Sequence, residues 1–312
     1  ISAWPLSLWA VDSINQSVIA MKAELSIITV NYNGKEDTRR LIESIRDHLF
    51  VPYEFIVVDN GSVENEALEL QNNYPFIKTI RSGRNLGFAG GNNLGVRQAS
   101  GNYLFFLNND TFVRDDSISR LIDMMRRNPL LGGLSPKILF ADTKGGIQFA
   151  GYTPLSRVTL RNRLIGYREP DEGQYDQCRP TPYLHGAAML IRREAIERAG
   201  MMPEIYFLYY EELDWSLQIR RQGYELEYYP SAAIYHSESS STGQNSPLKA
   251  YYLTRNRLLF ARRNLSGLNR FLSIGYQLAI AIPRGWIQAL FRGRPALARA
   301  MVRGGRDFFR MR

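Results

Sequence analysis

The densest carboxylate cluster in the chain is Glu211-Glu212-Leu213-Asp214, set among Tyr206, Phe207, Tyr209, Tyr210 and Trp215. On a helix, Glu211 and Asp214 lie three residues apart and share a face, while Glu212 points elsewhere. Neighbouring carboxylates repel one another, which raises their pKa values and suits a general base. The aromatics would lower the local dielectric or stack on a ring-shaped ligand. The same acids would also suit a helix N-terminus through its dipole alone. A second cluster, Asn108-Asn109-Asp110, follows the apolar run Tyr103-Leu104-Phe105-Phe106-Leu107. A diphosphate leaving group needs its developing charge neutralised, commonly by Mg2+ or Mn2+ held through carboxylate and phosphate oxygens. Asp110 is the natural ligand, with Asn108 and Asn109 assisting weakly. His236 closes the extended run Ala232-Ala233-Ile234-Tyr235 and could complete this thin metal site.

Two more polar clusters close apolar runs: Asn31-Tyr32-Asn33-Gly34 and Asp59-Asn60-Gly61-Ser62. The Asp59 carboxylate can accept a hydrogen bond from a ribose hydroxyl or a pyrimidine N3–H. Asp-Asn-Gly would equally form a tight turn without any ligand. Arg84-Asn85-Leu86-Gly87-Phe88-Ala89-Gly90-Gly91-Asn92 resembles a phosphate-binding glycine loop at a helix N-terminus. It follows the third strand signal, however, and the first strand lacks a Gly-x-Gly-x-x-Gly turn, which argues against a dinucleotide-binding motif.

These residues need a frame. Leu25–Val30, Phe55–Val58, Ile77–Ile80 and Tyr103–Leu107 are short apolar runs separated by helical periodicity, such as Leu41, Ile42, Ile45 and Leu49. The alternation predicts a mostly parallel, Rossmann-like α/β sheet flanked by helices. Ligands of such sheets bind beyond the carboxyl ends of the strands, where the Asn31, Asp59 and Asn108 clusters all fall. Their convergence predicts a nucleotide crevice. Residues 130–185 read as irregular and strand-rich, and 185–236 as a compact block with two helices and an extended segment ending at His236.

Length and 45% hydrophobic residues allow a substantial core. The lone Cys178 excludes an intramolecular disulfide, fits a reducing cytoplasm, and reads as a partly exposed spare thiol. The net charge of +9 is concentrated at one end: residues 255–312 hold 13 arginines and one acid, Asp307. The remainder is mildly acidic, unlike a nucleic-acid binder with a basic stripe across its fold. The longest uncharged stretch of this tail, Phe271 to Pro283, is too short to span a bilayer, which takes roughly 20 residues. With Trp286, Leu290 and Phe291 beyond it, the tail reads as interfacial helices with arginines facing anionic lipid, or as a helical subdomain with a solvated basic face. Residues 1–20 lack the basic start of a secretory signal. Met21 directly precedes the first strand and reads as the natural start. The expected organisation is an N-terminal extension (1–20), a catalytic α/β domain (21–246) and a basic helical tail (247–312).

Taken together, the motifs resemble family 2 glycosyltransferases, particularly bacterial rhamnosyltransferase-like members, over residues 25–236. The resemblance implies the GT-A fold with a C-terminal helical extension. It implies that Tyr32 and Asp59 contact base and ribose, with Asn31, Asn85, Gly87, Asn108 and Asn109 completing the donor site. Asp110 would bind metal and diphosphate. His236 matches a galactofuranosyltransferase-like segment whose histidine binds metal. Glu212 would be the base of an inverting transfer, with Asp214 as rival and Glu211 beside them. The expected partners are a dTDP- or UDP-sugar, with L-rhamnose as sugar, a glycan or lipid-linked acceptor, and the cytoplasmic face of the cell membrane, with no nucleic acid. Two competing readings are nucleotidyl transfer, for which only Arg81 and Arg84 stand near a triphosphate, and a non-catalytic glycan- or membrane-binding protein.

Overall fold

The computed structural model describes residues 23–141, 146–237 and 246–311; the expected extension and Met21 lie outside the described residues. In chain order the elements are β1 (Leu25–Asn31), α1 (Lys35–His48), β2 (Tyr53–Asp59), α2 (Glu66–Asn73), β3 (Ile77–Arg81), α3 (Gly87–Val96), β4 (Tyr103–Asn108), β5 (Thr111–Phe112), α4 (Ser117–Arg127), β6 (Leu131–Phe140), β7 (Ile147–Phe149), β8 (Arg179–Pro180), β9 (Ala188–Arg192), α5 (Arg193–Ala199), α6 (Glu211–Arg221) and β10 (Glu225–His236). The tail adds α7 (Pro247–Asn264), α8 (Gly267–Tyr276), α9 (Ile282–Phe291) and α10 (Pro295–Arg310). A π-helical segment, Gln277–Ala281, joins α8 to α9.

The strands form one sheet in the order β3-β2-β1-β4-β9-β6-β10-β5, with β7 beside β6 and β8 beside β10. The first four are parallel, as the strand–helix alternation predicts. Beyond β4 the sheet is mixed, because β9 runs antiparallel to both β4 and β6. Alternation along the central strands loads both faces: Ile27, Phe55 and Phe105 enter one apolar cluster, and Ile28, Ile56 and Phe106 the other. Near-continuous apolar strands are what burial on both faces requires.

Register delivers the site. Asn31 pairs with Asp59 and Val30 with Asn108, so the three polar clusters reach one rim. On β10 a register shift between Tyr229 and Ala233 spans Pro230, and the strand then sets His236 opposite Thr111, next to Asp110. α6 is pinned from below by Trp215, fully buried and edge-on to Phe106 with ring centroids 5.3 Å apart. Truncating a buried aromatic of this size typically costs about 3–5 kcal/mol.

The tail is not a loose appendage. Leu258, Leu259, Phe260 and Phe308 share an apolar cluster with Tyr206, Tyr210 and Leu213 of the preceding domain. At Gly304, α10 approaches α7 so closely that a Cβ would lie 2.6 Å from the Tyr251 carbonyl oxygen.

Candidate active site

The rim under β1, β2 and β4 is held by amides that bond to the chain itself. Asn31 donates to Glu66 (2.7 Å) and accepts from the Thr38 hydroxyl (2.8 Å). Asn109 donates to the Gly34 carbonyl and to Thr38, each at 3.2 Å. Asn85 accepts from the Gly87 N–H (2.8 Å) and from Asn60 (3.2 Å). All three amides make bonds within the chain, and these shape the crevice they were expected to line. Asp59 is fully buried; Oδ1 accepts from the Ser62 N–H (3.0 Å), while Oδ2 has only longer contacts with the Ala67 N–H (3.4 Å) and Arg81 (3.6 Å). That leaves Oδ2 as the atom a ligand could compete for. Tyr32, 48% exposed, presents an open aromatic face on the same rim.

Asn60, named above only as part of the turn after β2, accepts from the Leu86 N–H (2.9 Å) and donates to the Gly87 carbonyl (3.0 Å), tying β2 to α3. In the glycine-rich segment the N–H groups of Leu86, Gly87 and Phe88 bond to Asn60, Asn85 and the Phe207 carbonyl (2.8 Å). Its glycines also serve packing: a Cβ at Gly91 would meet Val30 Cγ1 at 2.8 Å.

Beyond β4 stands a second corner. His236 Nε2 lies 3.0 Å from Asp110 Oδ1 and 3.4 Å from Asn108 Nδ2, and its Nδ1 lies 2.7 Å from Oε1 of the buried Gln148. In the tautomer whose Nδ1–H donates to Gln148, a neutral ring would carry its lone pair on Nε2, the atom a metal would take. Two acceptors at that separation fit a shared cation, and a histidine oriented by a second hydrogen bond is the usual form of a metal ligand. Among the described residues no group of three or more His, Cys, Asp or Glu gathers around a metal position, so water and diphosphate oxygens would fill the remaining coordination.

The opposite wall is α6 and the loop before it. Phe207, Tyr209 and Tyr210 all take positive φ (66°, 69° and 79°), a conformation costly for large side chains. That strain delivers Glu211 and Glu212 into the first turn of α6. Glu212 is partly buried and faces Gly186, whose added Cβ would lie 3.8 Å from Glu212 Cγ and 3.7 Å from Phe88 Cζ. Burial pushes its pKa up to about 7, against the opposing pull of N–H groups from Tyr210, Glu212 and Leu213. Glu211 is raised further, by burial and then by Glu212, and its Oε2 has no hydrogen-bond partner. Asp214 is otherwise placed. It is fully buried and accepts from Tyr206 (2.8 Å), Arg263 (2.7 Å) and Gln218 (2.9 Å). Asp214 is thus bound into the fold by three donors, one of them a guanidinium, whereas among the described residues Glu212 has no such cation.

The two corners are linked by residues absent from the sequence reading. His185 stacks on Tyr152 (5.9 Å, 14°), and burial, then His236, press its pKa down to about 3. Tyr152 is raised well above its ordinary value by burial and by Glu212. His185-Gly186 carried only a weak signal, a glycine directly before an apolar strand.

Behind the strained loop, α7 acts as a clamp. The fully buried Asn256 amide nitrogen lies 3.0, 2.7 and 2.8 Å from the carbonyl oxygens of Tyr206, Leu208 and Tyr209. Arg257 donates to the Tyr210 hydroxyl (3.0 Å).

Comparison with known proteins identifies the family and the fold. Residues 26–200 match the model of glycosyl transferase family 2. The chain is 30% identical over 244 residues to the low-salt glycan biosynthesis hexosyltransferase Agl10 of Haloferax volcanii, covering 77% of this chain and 76% of that one. It is 26% identical over 250 residues to the N-acetylglucosaminyl-diphospho-decaprenol L-rhamnosyltransferase of Mycobacterium tuberculosis, covering 71% and 78%. Among solved structures, the mannosyltransferase PcManGT of Pyrobaculum calidifontis, in complex with GDP-Man and Mn2+, superposes with a TM-score of 0.57 at 14% identity, over 92% of this chain and 87% of that one. With a GT-A sheet and a model match over residues 26–200, the chain is a glycosyltransferase and belongs to glycosyl transferase family 2.

Proposed function

We propose that the enzyme transfers L-rhamnose, or a closely related sugar, with inversion from a dTDP- or UDP-sugar to a lipid-linked glycan. The observation that carries this reading is Glu212, a carboxylate opposite Gly186 whose pKa of about 7 suits proton abstraction near neutrality. The acceptor hydroxyl oxygen bonds to the anomeric carbon from the face opposite the diphosphate. The carbon–oxygen bond to the diphosphate breaks with its electron pair leaving on the diphosphate, and the hydroxyl proton passes to Glu212. Tyr32 offers a stacking face to the base, and Asp59 Oδ2 a hydrogen-bond acceptor. Asp110 and His236 would hold Mg2+ or Mn2+, which supplies charge neutralisation for the leaving diphosphate. Gln148 keeps the His236 ring oriented. The likeness to an L-rhamnosyltransferase acting on a diphospho-decaprenol compound supports both the sugar and the acceptor class.

We further propose that the tail docks on the cytoplasmic face of the cell membrane. Phe271 (75% exposed) and Phe291 (89%) project from α8 and α9 beside Arg270, Arg284 and Arg292. Among the described residues no helix is long and apolar enough to cross a membrane.

Incubation with dTDP-rhamnose, UDP-sugars and Mn2+ tests the transfer reading. Release of nucleoside diphosphate is expected; pyrophosphate release would point to nucleotidyl transfer, and no release to a binding protein. Because α10 packs on α7, the docking is tested by Phe271→Ser with Phe291→Ser rather than by truncation. Lost sedimentation with phosphatidylglycerol vesicles is expected, and unchanged sedimentation would refute the docking.

A further inference from the structure

α7 and α10 enclose a groove of about 440 Å3 that the transfer step does not use. Leu248, Tyr251 and Tyr252 form one wall, at the spacing of a single helix face, and Arg299 and Arg303 form the other. The same two arginines, with Trp286 and Arg306, line an adjoining hollow of about 520 Å3. The combined surface is aromatic and aliphatic along its length and carries guanidinium groups in the middle.

Among the described residues the charge in this groove is only partly balanced. Asp307 is the only acid in residues 255–312. It is shared among the Tyr251 hydroxyl (3.1 Å) and Arg303, Arg306 and Arg310 at 3.4–3.7 Å. Among the described residues Arg299 pairs with no carboxylate. A ligand with two or more negative charges next to a hydrocarbon chain would complement both properties, since arginine forks match phosphate oxygens.

Position narrows the occupant. Tyr252 stacks on Phe207 (5.2 Å, 14°), and the Phe207 carbonyl receives the Phe88 N–H at the edge of the site. Lys249 lies 5.7 Å from the Tyr209 ring centroid. The groove therefore borders the strained loop that delivers Glu212. The bilayer-facing Phe271 and Phe291 instead belong to α8 and α9.

We propose that this groove holds the diphosphate and first isoprenoid units of the acceptor, with Arg299 and Arg303 on the diphosphate and Leu248, Tyr252 and Trp286 on the chain. The assignment deepens the lipid-linked acceptor reading and rests on it.

The test uses the full chain and the fluorescence of Trp286, with Trp286→Phe as the control for signal origin. Farnesyl diphosphate is titrated in parallel with farnesol, inorganic pyrophosphate and phosphatidylglycerol vesicles. Saturable binding of farnesyl diphosphate is expected, weakened about tenfold or more by combined Arg299→Gln and Arg303→Gln, the scale of losing charged hydrogen bonds. Both arginines are exposed, so the variant should keep the wild-type melting temperature. Farnesol and pyrophosphate should each bind at least about tenfold more weakly, since each offers half of the complement. Equal binding of farnesol, equal binding of pyrophosphate, unchanged affinity in the double variant, or a vesicle response that the double variant abolishes would overturn the proposal. Nucleoside diphosphate release, measured separately, distinguishes the two readings. Its absence with arginine-dependent farnesyl diphosphate binding retained would fell the transfer reading and leave the groove standing.

Discussion

The rim at the ends of β1, β2 and β4 and the wall built by α6 and α7 face the same crevice but follow opposite designs. The rim is internally satisfied: Asn31, Asn60, Asn85 and Asn109 all find partners on the chain. The wall gathers three non-glycine residues of positive φ, a buried carboxylate oxygen without a partner and two carboxyl groups with raised pKa values. On the wall, strain and unmet polarity lie beside the proposed base and α7 brackets the strained loop, whereas the rim carries one non-glycine residue of positive φ, Asn33. The contrast is sharpest within α6, where Asp214 is neutralised by Arg263 and Glu212, two residues earlier, has no such cation.

The contrast can be broken most severely at Glu212. Glu212→Gln should lower kcat by about 10²–10⁴ while leaving the donor KM nearly unchanged, as loss of a general base does. Wild-type kcat should rise with pH through about 7 and then level off, because only the deprotonated carboxylate accepts the proton. Stability runs the other way. A carboxyl raised from 4.5 to about 7 binds its proton more tightly folded than unfolded, so its contribution is complete below 4.5 and is lost as pH rises through 7. A pH-independent kcat between 6 and 8, a window bracketing that value of about 7, would remove Glu212 from the base role.

At the rim's far corner, Gln148→Ala should weaken Mn2+ activation about 10–100-fold by freeing the His236 ring, without altering the saturated rate greatly. Metal titrations of activity would read this directly, and an unchanged activation curve would mean that His236 does not ligate. A smaller effect is expected for Asn256→Leu. It strips the donors from the carbonyl groups of Tyr206, Leu208 and Tyr209 and should cost about 1–3 kcal/mol in urea unfolding. Its kcat should fall with donor KM retained, since only the wall is disturbed. The smallest change in turnover is expected for Asp214→Asn, whose main effect should be on unfolding because Arg263 loses its charged partner. If Asp214→Asn slowed turnover more than Glu212→Gln, the two residues would have to exchange roles.

Much of the frame was legible in the sequence because its signals are local. Apolar runs ended by Asn31, Asp59 and Asn108 define parallel strands and their carboxyl ends, and the meeting of Asp110 with His236 follows from the strand that His236 closes. The Glu211-Glu212-Asp214 cluster was also visible, but the division of labour within it was not. That depends on Tyr206 and on Arg263, the latter 49 positions away, and no spacing rule reports such a contact. The glycine-rich segment is ambiguous for a related reason. A glycine admitting a phosphate and a glycine admitting Val30 or the Phe207 carbonyl look alike in a sequence, and only the neighbour distinguishes them.

Gly87 is where the two designs touch. Its φ is +75°, and a Cβ there would fall 2.2 Å from the Phe207 carbonyl oxygen, the atom that also accepts from Phe88. A side chain at this position would push the strained loop outward and carry Glu212 with it. On the proposed mechanism, the nucleotide crevice and the proton-accepting wall share one backbone contact. Attempts to redesign the nucleotide crevice for another sugar are free to vary Tyr32 and its neighbours, but they inherit residue 87 as a fixed point of the enzyme's evolvability.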